Sequence, residues 1–448
     1  MAAGAAGAAA GPTWVGEALN GGGAWTLRSR IPYILGFIML FDSWDSVVIA
    51  YTLPSIIREW NLSAIASGFL ISAGYGGQFI GAIVCGALAE RRGRLPVLRW
   101  LVLAMGVLAI VCSMAGSYEQ LVAFRLIQGL AIGGALPVSV CYVNELAPTA
   151  TRGKYFVTFQ FITMSGYGVA AITSAWIVPE YGWRLMFALG AIPLLFLPLM
   201  FYMPESPRWL ATRGRNREAA YSLEKLGGVA PTLSIEQEAG TAPDARVSAR
   251  ELVAPGMRRQ TGIAALLWFL TSLVSFGLVT WVPSIYVEIF DIPVADALSY
   301  NAVAAICIFF LPIVLRQTID HVGRRPPAII GTGIGGLALL AMLVAPSEEW
   351  VLVVGLLIVG QLGISVSSLI LWPYTAEIFT TRVRSVALGT SSSLARAASM
   401  LTPLLVGGVL EVTGSVTLVF LIFGLASLVV ALLWLLGTRE TAGREMGL

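Results

Sequence analysis

Histidine occurs once and cysteine four times among the 448 residues, and these scarcities remove the usual material of metal centres, catalytic triads and disulfide frameworks. His321 stands in a charged turn with no cysteine or second histidine nearby. Cys85, Cys112, Cys141 and Cys307 each lie inside an apolar run and read as small core residues. Charge is scarce too: 12% of residues are Asp, Glu, Lys or Arg, where a soluble domain carries about a quarter. With 28 Lys and Arg against 25 Asp and Glu, the net charge of +3 is too small to draw nucleic acid as a partner. There is no Walker A sequence for ATP, and Gly331 to Gly336 fits GxGxxG only formally, inside an apolar run with no βαβ unit around it. The inventory predicts neither an enzyme nor a cofactor nor a metal. The opening MAAGAAGAAAG lacks the basic stretch of a signal peptide, and residues 1–24 are expected to form a disordered cytoplasmic tail.

Apolar length is what the chain has instead. Hydrophobic residues make up 57% of it, and the mean hydropathy is +0.81. Apolar stretches fall near 31–57, 64–89, 97–116, 119–143, 155–179, 184–202, 259–286, 297–315, 326–345, 350–376, 385–410 and 414–437, each near the ~20 residues that a helical crossing needs. The fold class predicted is an all-α membrane protein of twelve transmembrane helices in two six-helix bundles, residues 25–203 and 259–438. A polar cytoplasmic linker at 204–258 joins them, and a cytoplasmic tail follows at 439–448. The linker contains PESPRWL and an Arg-rich run and leaves room for one or two surface helices. Placing both termini and the linker inside puts all but four of the 28 Lys and Arg on the cytoplasmic side. Of those four, Arg58 and Arg184 fall outside, and Arg125 and Arg396 fall within spans.

The plan is written twice. GALAERRGR, Gly86 to Arg94, and RQTIDHVGRR, Arg316 to Arg325, are matching basic turns between apolar segments, and Glu145 to Arg152 recurs with the same spacing as Glu377 to Arg384. Such duplication is the sequence form of a carrier whose substrate crosses between two pseudo-equivalent bundles. The turns predict a cytoplasmic latch made of Glu90, Arg91, Gly93, Arg94, Glu145 and Arg152 in one half and Asp320, Gly323, Arg324, Glu377 and Arg384 in the other. In it a carboxylate at a helix end pairs with an arginine or helix N-terminus of the other bundle in one state and lets go in the other. The plainer alternative is that these charges only set topology.

A charge at a helix centre costs about 2.5–3.5 kcal/mol and persists only with a partner or a wet cavity. Asp42 and Asp45, three apart in IMLFDSWDSVVIAY, share a helical face, where two carboxylates repel each other and lose hydration; that suits a proton carrier. Arg125, which opens the fourth span, is an expected partner for one of them. Arg396 lies among small residues of the eleventh span, and its planar, permanently charged fork suits a carboxylate, either a substrate's or that of an Asp or Glu of the other bundle. Tyr155, Phe159, Gln160 and Tyr167 of the fifth span, Trp268, Ser272 and Phe276 of the seventh, and Gln361 and Trp372 of the tenth recur at helical spacing. As a set they could stack on a small aromatic ligand; individually they read equally as packing or interfacial anchors.

The residues now on the page resemble the major facilitator superfamily over nearly the whole chain. Its loop pattern appears as Gly86, Leu88, Ala89, Glu90, Arg91, Gly93 and Arg94, with Glu90 where the family has Asp. The chain is similar within it to the metabolite/proton symporter branch, most of all to the bacterial niacin transporters (NiaP), which are related to organic-ion and synaptic-vesicle-like transporters. Phe41-Asp42-x-x-Asp45, PESPRWL, Trp281-Val-Pro283-Ser284, and Tyr374-x-x-Glu377 with Arg382 and Arg384 carry that likeness. Ser43 departs from the Asp-Gly-x-Asp of aromatic acid carriers and favours the niacin branch. The resemblance implies a secondary transporter importing a small aromatic monocarboxylate, nicotinate above others, by proton symport with alternating access. Arg125 would take part in proton coupling, and Arg396 would hold the substrate carboxylate. It implies a monomeric multi-pass protein of the bacterial inner membrane whose partners are the substrate, protons and the lipid bilayer. A carrier of organic cations, sugars or polyols, or a receptor on the same fold, stays open.

Overall fold

The computed structural model describes residues 13–20, 26–148, 151–227, 249–346, 349–379 and 383–441. The side chains of the predicted latch residues Asp320 and Arg384 lie outside the described part, as do most of the tails expected at 1–24 and 439–448 and the middle of the linker.

Apolar runs of this length satisfy their backbone only as helices once water is excluded, and the turns between them carry the stop and start signals. The first membrane helix, α2 (Leu27–Trp60), starts at a Thr26–Ser29 capping box and ends at Asn61 in the left-handed conformation. Ser63 caps α3 (Ala64–Arg92), and Ser117 caps α5 (Tyr118–Leu146). Between and after them run α4 (Arg94–Ser113) and α6 (Arg152–Tyr181). The sixth span breaks into α7 (Trp183–Leu189) and α8 (Pro193–Phe201), because Pro193 brings no N–H to continue the helix. The second half comprises α11 (Arg258–Glu288), α12 (Val294–Val322), α13 (Arg325–Ala341), α14 (Trp350–Ile378), α15 (Arg384–Thr413) and α16 (Val416–Leu432), the last continued by a π turn to Gly437. Among the described residues, eleven helices are long and apolar enough to cross a membrane. The remaining predicted span, the ninth, is α13, with 17 residues.

Each half is a bundle. In the first, α3 lies along α5 and α2 along α6; in the second, α13 lies along α14 and α16, and α11 along α15. Glycine makes the tightest contacts possible: a Cβ at Gly133 would fall 2.0 Å from the Gln78 carbonyl of α3, and one at Gly363 of α14 would fall 2.4 Å from the Gly331 carbonyl of α13. The GxGxxG of the sequence is therefore a helix-packing stripe.

Two expectations need correction. Within the predicted disordered tail, Thr13–Asn20 forms a helix, α1, that buries Trp14, Val15 and Leu19 against Trp209, Leu210, Ala219 and Leu223. An Ala/Gly-rich start hides this amphipathic turn, whose partners lie in the linker. Cys85 and Cys112 are buried, but Cys141 and Cys307 are exposed; helices that face lipid or a cavity let apolar residues sit at the surface. The linker contributes α9 (Pro207–Thr212), seated on α5 of the first half, and α10 (Asn216–Lys225), which packs on α9 and α1. Trp209 donates to the Glu90 carbonyl at 2.9 Å, and Arg208 donates to that of Glu145 at 3.0 Å. Leu252, by contrast, packs with Ala264, Phe379 and Val383 of the second half.

Candidate functional site

The halves meet along α2–α11, α3–α15 and α6–α12; of the charges within the spans, Asp42 and Arg396 face each other across that seam, while Asp45 and Arg125 lie inside the first half. Asp42 and Asp45, close neighbours on one helix, take different partners. Asp45 points to α5, where Arg125 Nη1 lies 3.3 Å from its Oδ1 with both side chains almost wholly buried. The guanidinium also donates to the Gln128 side chain at 3.0 Å and to the Asp45 carbonyl at 3.3 Å, and it lies over the Phe187 ring at 5.5 Å. Gln128 in turn accepts from the Cys112 thiol at 3.3 Å. Gly74 leaves the room: a Cβ there would stand 3.2 Å from Arg125 Nη2. Buried pairs of this kind cost much desolvation and hold together because each charge would be worse off alone.

Asp42 has no such pair. It is 4% exposed, and its Oδ1 has no hydrogen-bond partner. The charge it faces across the seam is Arg396 of α15, and Tyr167 of α6 stands beside both and beside Ser43. Among the described residues, the half-buried Arg396 guanidinium enters no ion pair. A guanidinium and a carboxyl group thus face each other across the interface without forming an ion pair among the described residues.

The predicted aromatic set divides. Phe276 meets Tyr75 of α3 edge-on at 5.5 Å, joining the two halves. Nearer the basic end, Trp268 and the half-exposed Trp372 cross at 4.8 Å, and Trp268 donates to Thr375 at 2.9 Å. Gln361 is 5% exposed with its amide nitrogen unpartnered, and Ser272 is buried beside this group on α11. Gln160 is half-buried on α6. Phe159 does not belong with them: it is fully buried in the first-half core with Leu35 and Ile38, and Tyr155 packs on the same cluster. Helical spacing cannot tell a seam-facing ring from one facing the neighbouring helix.

Among the described latch residues, the ion pairs stay within each half. Arg94 bonds Glu145 at 3.1 Å, and Arg324 bonds Glu377 at 3.1 Å; Glu90, Arg91 and Arg152 are exposed. Two glutamates missed as site residues complete each turn. Glu205 of PESPR accepts from the Leu95 amide at 3.2 Å, and Glu440 of TRET accepts from the amides of Arg324 and Arg325 at 2.9 and 3.1 Å, each capping a helix start. Gly93 (φ +107°) and Gly323 (φ +94°) make space for them, since a Cβ would come within 2.3 and 2.5 Å of the carboxylates. Their signal was present in the sequence, as a glutamate following the sixth and the last span. Among the described residues, the hydrogen-bonded links between the halves lie at the opposite face: Arg58–Glu288 at 3.2 Å, and Glu411 of α15 accepting from the Ile65 amide of α3 at 3.3 Å. There α3 and α15 touch backbone to backbone, a Cβ at Gly407 falling 2.5 Å from the Ala64 carbonyl.

Two helical bundles with buried charges at their seam and matched charged turns at one face define a membrane transporter of the major facilitator superfamily; it is not an enzyme. A family model described as "Sugar (and other) transporter" matches residues 32–447, and the chain belongs to that family. It is 27% identical to the niacin transporter NiaP of Acinetobacter baylyi, over 92% of this chain and 94% of that one. It is 30% identical to a gallate transporter of Pseudomonas putida, over 88% of each. The crystal structure of a D-xylose-proton symporter superposes with a TM-score of 0.73 at 22% identity, over 93% of this chain and 99% of the other.

Proposed function

We propose that this transporter moves a small aromatic monocarboxylate, with nicotinate the best candidate, into the bacterial cell in company with a proton. The carrying observation is the seam geometry: Arg396 without an ion pair, facing an Asp42 whose Oδ1 lacks a partner. One guanidinium balances one negative charge. When a substrate carboxylate takes the Arg396 fork, Asp42 faces a second anion in a dry setting, and a proton on Asp42 restores the balance. Substrate and proton are then bound together, which is symport stated as electrostatics. The aromatic body of the substrate would lie toward Tyr167, Trp268, Trp372 and Phe276, with Gln361 offering an amide donor. The buried Asp45–Arg125 pair would hold the first helix in register while Asp42 titrates. The names of the niacin and gallate transporters support the substrate class, and the scarcity of Lys and Arg on the Glu59 side supports a basic face turned to the cytoplasm of an inner-membrane protein.

Uptake of labelled nicotinate into proteoliposomes under an inward proton gradient tests this. Accumulation is expected in the wild type and is expected to fall to the unenergised level when the gradient collapses. Arg396→Ala should lose uptake at least about tenfold, the worth of one charge-assisted pair, while still purifying as a folded protein. Asp42→Asn should keep substrate counterflow and lose proton-driven accumulation. Normal nicotinate uptake by Arg396→Ala would end the carboxylate-anchor reading.

A further inference from the structure

Beside the first basic turn, outside the transport seam, α9 and α10 enclose a cavity of about 390 Å³ against the start of α4. Its lining includes four cations, Arg92, Arg215, Arg217 and Lys225, and two carboxylates, Glu205 and Glu218. Both carboxylates are already engaged. Glu218 is held by Arg215 at 2.6 Å, and Glu205 by the amides of Leu95 and Ser206; burial also pushes the Glu205 carboxyl up, which weakens its negative field further. Arg92 and Lys225 enter no ion pair among the described residues, so the cavity keeps a positive surplus.

The mouth of the cavity adjoins a surface made for acyl chains. Pro96, in its wall, stands one turn before Trp100, which is 71% exposed, and the same face of α4 continues through the exposed Val107, Ile110 and Met114. Phe201 and Tyr202, at the end of α8, are 63% and 70% exposed immediately before Pro204 of the wall. Exposed aromatic residues at a helix end mark the headgroup level of a bilayer. The cavity is therefore cationic at headgroup depth and opens onto an apolar stripe.

We propose that this cavity binds the phosphate of an anionic lipid in the leaflet at the basic face, with the acyl chains lying along the α4 stripe. Arg92 and Lys225 would contact the phosphate, so that the lipid ties the α3–α4 turn to the linker helices. The other half has no described counterpart of α9 and α10, which makes the site a feature of one bundle only.

Full-length protein in nanodiscs of phosphatidylcholine doped with a phosphatidylglycerol that carries a photoreactive group in its headgroup tests the proposal. Crosslinks are expected within 92–100 and 216–225; crosslinks confined to other segments would overturn it. Competition by unlabelled phosphatidylglycerol should be lowered about tenfold or more in Arg92→Gln/Lys225→Gln, the fold-change that two cations near a membrane surface are worth. Equal competition in the variant and the wild type would sink the assignment. Millimolar inorganic phosphate should not displace the probe, and displacement would reassign the cavity to a soluble phosphate. Because the crosslink map needs only the wild type, a variant that fails to fold leaves the proposal open to refutation.

Discussion

Asp45 and Arg125 show what a single replacement does to a buried pair. Asp45→Asn leaves a guanidinium enclosed by protein with one carboxylate fewer, and breaking such a pair costs about 3–5 kcal/mol. Its melting temperature in detergent should fall clearly below that of the wild type, whereas Asp45→Leu combined with Arg125→Met should recover part of the loss. A single variant that melts like the wild type would mean that water reaches the pair. Sequence named Arg125 as the partner of one of the two aspartates but not which one, because Asp42 and Asp45 lie on nearly the same helical face, and the choice between them rests on where α5 and α15 stand. Gln128 and Cys112, which complete the network, carried no signal stronger than Gln128 being one turn after Arg125.

Among the elements, the start of α4 is the most exposed to perturbation. Gly93→Ala would force an alanine into a backbone region costing about 1–3 kcal/mol and drive its Cβ into the Glu205 carboxylate. Faster hydrogen exchange at Leu95 and a lower melting temperature are expected; unchanged protection at Leu95 would show that Glu205 does not cap the helix. Burial raises Glu205 above its ordinary 4.5 although the amide donors pull the other way. A carboxyl raised on folding contributes stability below its unfolded value and loses that contribution as pH rises through the folded one. The Glu205 contribution to stability should therefore decline as pH rises above the ordinary 4.5, so the wild type should lose melting temperature with rising pH relative to Glu205→Gln; parallel pH profiles in the two would remove that contribution. Span positions were legible because apolar length is a local property. The cap was not, since the residues it joins are 110 positions apart.

For the whole molecule, the face opposite the basic turns is held by a weak bond and a tight contact. Arg58–Glu288 is exposed, and such pairs contribute about 0.2–1 kcal/mol, so Arg58→Ala should shift the balance between open and closed at that face by no more than about fivefold. Gly407→Leu should do more, because its side chain meets the Ala64 backbone, which cannot give. Distances between spin labels on Met114→Cys and Val412→Cys should lengthen for Gly407→Leu and change little for Arg58→Ala; the reverse order would make the ion pair the main closure. The duplicated turns disclosed two bundles. They could not disclose which face is closed, since one sequence must serve both states and the energy between them is small.

The docking of α1 bears on how the chain is made. Trp14, Val15 and Leu19 find their partners in α9 and α10, so α1 leaves the ribosome well before those partners and has nowhere to settle until the sixth span has been threaded. At about 5–20 residues per second that wait is on the order of ten seconds or more. During it the apolar face of α1 stays uncovered. An affinity tag fused to the N-terminus would travel with this late-arriving piece, and the first assembled half would signal its completion by capturing it.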